Sequence, residues 1–246
     1  MPRYFLEVSY KGTRYSGFQV QNNAVTIQSE VEKALETYYK TKISLTGSSR
    51  TDTGVHASQN FFHFDFEGNI YSEQLYNINA ILPNDIVAKR IYQVSDNAHC
   101  RFDAVAREYC YYIYQEKNPF LEKKAWFYPY KLDIDLLQKA ADIIITVNDF
   151  TTFSKRNTQV NNFNCTIQQS FWQQQNDCLV YNVKANRFLR GMVRGLVATM
   201  LKVGRHQITI QEFIDIINSR DCTTADFTTP AHGLFLKQVV YPQNFF

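Results

Sequence analysis

Hydrophobic and polar positions change period several times along the chain, and each change predicts an element. Tyr4, Leu6, Val8 and Tyr10 alternate with Arg3, Phe5, Glu7 and Ser9, a period of two that predicts a strand ended by a Lys11-Gly12 turn. In IQSEVEKALETYYK the period lengthens. Ile27, Val31, Ala34, Leu35 and Tyr38 recur at spacings of three and four, which predicts a helix with one buried face, capped by Thr26. Alternation returns in NFFHFDFE, where Phe62, Phe64 and Phe66 oppose His63 and Asp65. It recurs in LPNDIVAKRIYQV, after a Pro-Asn-Asp turn, and in the tyrosine-rich REYCYYIYQ of residues 107–115. A second helix is expected at IDLLQKAADIIITV, with Asp133 or Asp135 near its start, followed by the loop NDFTTFS.

Residues 156–177 are rich in Asn and Gln, carry little period, and read as a long loop or exposed hairpin. Beyond them, YNVKANRFLRGMVRGLVATMLKVG passes from a strand into a helix expected from near Asn186 to Gly204. IQEFIDIINSR and GLFLKQVVY add a shorter helix and a last strand. Each half of the chain combines strands with at least one amphipathic helix, so the expected fold class is α+β with mostly antiparallel sheets, divided into residues 1–103 and 104–246.

Composition changes this picture little. At 246 residues the chain is long enough for two modest domains, given that domains run to about 100–200 residues. A hydrophobic share of 45% and a charged share of 20% exclude a disordered or fibrous chain. Five cysteines without a C-x-x-C pair argue against a disulfide framework and against a zinc knuckle. With no leader-like start and no run of about 18 apolar residues, a cytoplasmic protein that does not enter a membrane is expected.

The net charge of +3 does not separate a nucleic-acid binder from any other enzyme, so the distribution of charge matters more. From Lys184 to Arg205 the chain holds Lys184, Arg187, Arg190, Arg194, Lys202 and Arg205 and no acid. On a helix Arg187, Arg190 and Arg194 share a face, while Met192, Val193, Leu196, Val197 and Met200 point to a core. Such a stripe suits phosphate oxygens, with one arginine turned inward toward a carboxylate; a solvated cationic face has the same pattern.

The stretch SSRTDTGVHASQ, residues 48–59, sets Asp52 between Arg50 and His56. A nearby cation favours the ionised carboxylate that a nucleophile or base requires. The alternative is an ordinary turn whose aspartate bonds its own backbone. His56 lacks an H-x-x-x-H or H-E-x-x-H partner and His63, His99, His206 and His232 are scattered, so no metal site is expected. Neither G-x-G-x-x-G nor G-x-x-x-x-G-K-[ST] occurs, and no cofactor is expected. In the tyrosine strand, Tyr109 and Tyr111 share one face and Tyr112 and Tyr114 the other, either a stacking surface for a base or an aromatic core.

These residues together resemble the tRNA pseudouridine synthase A family over almost the whole chain. The family signature G-R-T-D-A-G-V-H-A stands here as Ser49 to Ala57, with seven of nine positions in agreement. YKGTRYSGFQVQ, INAILPNDI, HCRFDAVAREYCYYIY, NDFTTFS, FLRGMVRGLV and PAHGLFL follow the family's landmarks in order. Ser49, Thr53 and Phe18 depart from the family's glycine, alanine and tryptophan, and residues 156–177 match poorly.

The resemblance implies a pseudouridine synthase fold, two related α/β halves with an active-site cleft between them. It implies a cofactor-free isomerase that converts uridine to pseudouridine in the anticodon stem-loop of tRNA, as a homodimer whose two chains touch one tRNA. Asp52 is then the catalytic aspartate, Tyr109 the active-site tyrosine at the base, Arg194 the partner of Asp52, and Leu234 an apolar wall of the uracil pocket. Arg187, Arg190, Lys202 and Arg205 are the expected phosphate contacts, with Arg50, Thr51 and His56 also placed in the substrate-binding set. A non-catalytic RNA-binding protein of the same fold is the runner-up. A glycosidase-like hydrolase expects a second carboxylate, and none stands near Asp52 in sequence.

Overall fold

The computed structural model describes residues 1–156, 160 and 162–246. In chain order the elements are β1 (Arg3–Tyr10), α1 (Ile27–Tyr39), β2 (Thr46–Gly47), β3 (His56–Asp65), α2 (Gln74–Ile81), β4 (Ile86–Val94), β5 (Ala106–Tyr114), β6 (Trp126–Phe127), α3 (Ile134–Thr146), β7 (Ile167–Gln175), β8 (Cys178–Ala185), α4 (Met192–Gly204), α5 (Ile210–Asn218) and β9 (Leu234–Val240). The fold is α+β. Two compact units divide it: residues 1–105 with 235–246, and residues 106–234. The single division expected at 103/104 therefore misses a return of the chain. From Phe235 onward the last strand belongs to the first unit, where it pairs in parallel with β3 (His56 with Phe235, Ala57 with Leu236).

In the first unit β1 lies between β3 and β4, antiparallel to both, and β2 extends β3 on a short stretch. The alternation along β1 predicts one buried face, yet Phe5 on the opposite face is as buried as Leu6. The end of the chain covers it. The Phe5 ring lies 5.7, 5.6 and 5.9 Å from those of Tyr241, Phe245 and Phe246, and Phe246 also stacks on Phe61 and Tyr92. α1 begins where the polar cap predicts. Thr26 Oγ1 accepts from Ser29 N–H and Ser29 Oγ accepts from Thr26 N–H, a reciprocal cap of the kind that contributes about 1 kcal/mol. α2 is not legible in the sequence because its buried residues are few, chiefly Leu75 and Ile78.

In the second unit β8 lies between β5 and β7, antiparallel to both, with β6 parallel to β5. Of the two candidate caps for α3, Asp133 is the one used, its Oδ1 accepting from Leu136 N–H at 3.0 Å. β7 and β8 form a hairpin in the register Gln175 to Cys178, turned at Asn176 with φ +50°. Within the asparagine- and glutamine-rich stretch, residues 167–175 are thus strand, burying Ile167, Ser170 and Trp172 behind exposed glutamines. Residues 157–159 and 161 of that stretch lie outside the described residues. No helix among the described residues is long and apolar enough to cross a membrane.

α4 corrects the sequence reading most. It starts at Met192 rather than near Asn186, because Gly191 takes a left-handed backbone, φ +76°, through which no right-handed helix continues. Arg187 and Arg190 therefore stand in the loop before the helix. They share no helical face with Arg194.

Candidate active site

Asp52 lies in the first unit, in the connection between β2 and β3. Residues 52–55 make a turn closed from Val55 N–H to Asp52 O at 3.1 Å, with Gly54 at φ +81° in the third position. A turn of this type requires positive φ there, which accounts for the Asp-Thr-Gly order. The turn is closed through the Asp52 backbone. Within this unit the Asp52 carboxylate takes part in no hydrogen bond or ion pair, and it is partly exposed. An aspartate consumed by its own turn is thereby excluded.

The flanks of the turn are held from three sides. Tyr10, at the end of β1, shares a hydrogen bond with Thr51 through their hydroxyls at 2.8 Å, and Asn60 Nδ2 donates to the Tyr10 hydroxyl at 3.2 Å and to Ser49 O at 2.8 Å. Phe18 N–H donates to Thr51 O at 3.1 Å. Gly12 N–H donates to His56 Nδ1 at 3.0 Å, which leaves the proton of the neutral imidazole on Nε2. His56 is 1% exposed with its ring 4.5 Å from that of Phe235, and Thr51 is also buried. Both are expected from sequence among the substrate-binding residues; within this unit both brace the loop. Arg50, by contrast, is exposed. Sequence reasoning misses Tyr10, Asn60 and Gly12 in this role. Only the Tyr10-Lys11-Gly12 run within the opening landmark points to two of them.

The approach at Gly12 makes a direct test of this bracing. A Cβ there would stand 1.9 Å from the carbonyl oxygen of Val55, the residue that closes the turn. Gly12→Ala is expected to lower stability by roughly 1–3 kcal/mol and to slow catalysis by displacing the loop. Urea unfolding and single-turnover assays measure the two effects. Wild-type stability in the variant would show that the contact is soft.

In the second unit, Tyr109 on β5 pairs in register with Val183 and is nearly buried, its ring meeting Phe188 edge-on at 4.9 Å. Tyr111 on the same face is fully buried, and its hydroxyl donates to Pro230 O at 2.8 Å. Burial pushes the Tyr111 hydroxyl well above its ordinary pKa, against the opposing influence of Arg194 and of a hydrogen bond with Thr229. Tyr111 is therefore a neutral anchor for the chain that leads to Leu234. Leu234 itself is buried, 7% exposed.

Arg194, in the first turn of α4, is tied to the same segment. Its Nε donates to Thr229 O at 2.7 Å, and Thr229 Oγ1 donates back to Arg194 O at 2.9 Å. Thr229 is completely buried. Among the described residues of the unit, only one of the three guanidinium nitrogens donates a hydrogen bond, which leaves the terminal fork with donors for a carboxylate. Sequence reasoning misses Thr229 as well, since nothing marks it except its place before the PAHG landmark.

The basic residues divide by environment. Lys202 forms an ion pair with Asp226 at 3.1 Å, so it is not the unpaired cation that the acid-free stretch suggests. Burial opposes ionisation of Asp226, but hydrogen bonds from Thr228 and Lys202 outweigh it and hold the carboxyl below its ordinary value. Arg205 lies over the rings of Tyr130 and Tyr128, at 3.8 and 5.9 Å, and spends its planar face there. Arg190 is exposed and Arg187 half-buried, both in the loop before α4.

Comparison with known proteins agrees with these landmarks. A family model described as tRNA pseudouridine synthase matches residues 7–103 and 141–242. A protein named tRNA pseudouridine synthase A from Porphyromonas gingivalis is 41% identical over 254 residues, covering 100% of each chain. The protein of that name from Parabacteroides distasonis is 40% identical over 251 residues, covering 100% of this chain and 98% of its own. One from Staphylococcus aureus is 38% identical over 245 residues, covering 98% and 92%.

Proposed function

The chain belongs to the tRNA pseudouridine synthase family, whose members isomerise uridine to pseudouridine in tRNA, and on that premise we propose that Asp52 is its catalytic carboxylate and the anticodon arm its target. The observation that carries the assignment of Asp52 is a carboxylate left unspent by a turn that its backbone alone closes, in a loop braced by Tyr10, Asn60 and His56.

In the isomerisation the uracil leaves C1′, turns while held, and rejoins the sugar through C5. Either attack on C1′ or removal of the C2′ proton requires a carboxylate at the sugar, and the role proposed for Arg194 is to aim that of Asp52 through its terminal fork. Tyr109 stacks on or holds the base, and Leu234 supplies an apolar wall that excludes water from the detached uracil. A stacked uridine must flip out first, at a cost of a few kcal/mol that backbone contacts offset. Arg50, Arg187 and Arg190 are the proposed phosphate contacts. Lys202 and Arg205 are proposed with them, Lys202 from its ion pair with Asp226 and Arg205 from its place over Tyr130. The enzyme acts as a cytoplasmic homodimer, with both chains on one tRNA.

Incubation with unmodified tRNA transcripts, followed by nucleotide-resolution mapping of pseudouridine, tests the reading. Product confined to the anticodon arm is expected. Product elsewhere in tRNA would keep the activity and remove the proposed target.

A further inference from the structure

Two histidines and a cysteine that are scattered in the sequence meet in the first unit. His63 is near the end of β3, while His99 and Cys100 lie in the turn after β4. One ligand-competent atom from each stands within 4.8 Å of the other two, the one grouping of three such side chains found among the described residues. His63 Nδ1 and Cys100 Sγ are 3.1 Å apart, and Nδ1 lies 3.3 Å from Cys100 N, whose N–H it accepts. The two imidazoles meet edge-on with centroids 4.6 Å apart.

The backbone around this cluster is fixed partly by bonds to the rings themselves, His99 Nδ1 accepting from Arg101 N–H at 3.2 Å and Phe102 N–H at 3.4 Å, and partly by bonds elsewhere. His99 N–H donates to Asp103 Oδ2 at 2.7 Å, Arg3 donates to Ala98 O at 2.9 Å, and the Tyr241 hydroxyl donates to Cys100 O at 2.6 Å. His63 is held in the sheet between Phe5 and Thr46. Such prior ordering lowers the entropic cost of gathering ligands.

We propose that His63, His99 and Cys100 form a zinc site, with one thiolate and two imidazoles on the ion and a water in the fourth tetrahedral position. This donor set suits a borderline-soft ion that accepts sulfur and nitrogen, and excludes the oxygen-seeking magnesium and calcium. Neighbouring ligand atoms around tetrahedral zinc stand roughly 3.3–3.7 Å apart, so side-chain rotation closes the cluster without a change in the backbone. On binding, the Cys100 thiol proton leaves to solvent, its 3.2 Å hydrogen bond to Thr46 O is given up, and the Nδ1 lone pairs of His63 and His99 pass from the backbone N–H groups of Cys100, Arg101 and Phe102 to the ion. The imidazoles bind as neutral donors and no electrons are transferred. The ion would clamp the turn at residues 99–100 to the central sheet, just before the chain leaves the first unit at residue 105.

The test uses the full chain, stripped with a chelator under reducing conditions and titrated with Co²⁺ as a spectroscopic probe for zinc. One equivalent should produce a thiolate-to-cobalt charge-transfer band and the intense visible bands of a tetrahedral ion, and one equivalent of Zn²⁺ should abolish both. Cys100→Ala is expected to lose the charge-transfer band, and His99→Gln to weaken binding about tenfold or more. Circular dichroism of the metal-free variants checks that both fold. Absence of the band in the wild type overturns the site, as does a band that survives Cys100→Ala and so belongs to another thiol. X-ray absorption of the zinc-loaded wild type tests the site without a variant: a shell with one sulfur supports it, and a shell without sulfur overturns it.

Discussion

Asp52→Asn is expected to reduce single-turnover pseudouridine formation by at least about a thousandfold while leaving folding and tRNA binding intact. Asparagine keeps the size of the side chain and removes its charge. The Asp52 carboxylate takes no hydrogen bond within its unit, and the turn is closed through the backbone, so the replacement disturbs no local structure. A stability change within about 0.5 kcal/mol is expected, as for a surface substitution away from caps and networks. The separation of the two effects is what makes the experiment decisive. A variant that binds tRNA and still forms pseudouridine at the wild-type rate would leave the protein without its proposed carboxylate.

The second large effect is expected at Arg194. Lysine in its place keeps the charge but offers one compact ammonium instead of a planar fork. It cannot both donate to Thr229 O, as Arg194 Nε does at 2.7 Å, and present two parallel donors to a carboxylate. Arg194→Lys should therefore lower the rate by about a hundredfold through loss of orientation. It should also lower stability by about 1–3 kcal/mol, because the acceptor on buried Thr229 loses its partner. The stability loss alone would not reveal a catalytic role. The combination Asp52→Asn with Arg194→Lys does so: if the arginine works through the aspartate, the double variant is no slower than Asp52→Asn alone. Losses that multiply would assign Arg194 to some other task.

Some elements are legible because their signal is local. α1 shows its buried face in the spacing of Ile27, Val31, Ala34 and Leu35, and Thr26 caps it through a neighbour three residues away. Strands β1, β3 and β5 announce themselves by alternation, as does β4 after its turn. β7 is harder, since exposed glutamines dilute a pattern that only Ile167, Ser170 and Trp172 carry. The spacing of Arg187 and Arg190 fits a helix and places the start of α4 too early, because the backbone angle of Gly191 leaves no mark in that spacing.

The candidate site divides in the same way. The signature around Asp52 and the order of the landmarks are readable as text, and with them the family. What text does not supply is which groups are already occupied. Lys202 looks free in a stretch without acids, yet Asp226, 24 residues on, folds back to pair with it. His56 looks like a group for RNA, yet Gly12 and Phe235 enclose it.

The amino-acid order by itself determined the periods, the cap of α1, the glycine that the turn after Asp52 requires, and the membership in a family of tRNA-modifying isomerases. Tertiary structure alone decided that the last strand returns to β3, that Phe245 and Phe246 cover Phe5, and that His63 meets His99 and Cys100. The physical reason is range. Periodicity and capping act between residues a few positions apart, whereas packing and ion pairing join residues whose separation along the chain carries no trace of their contact.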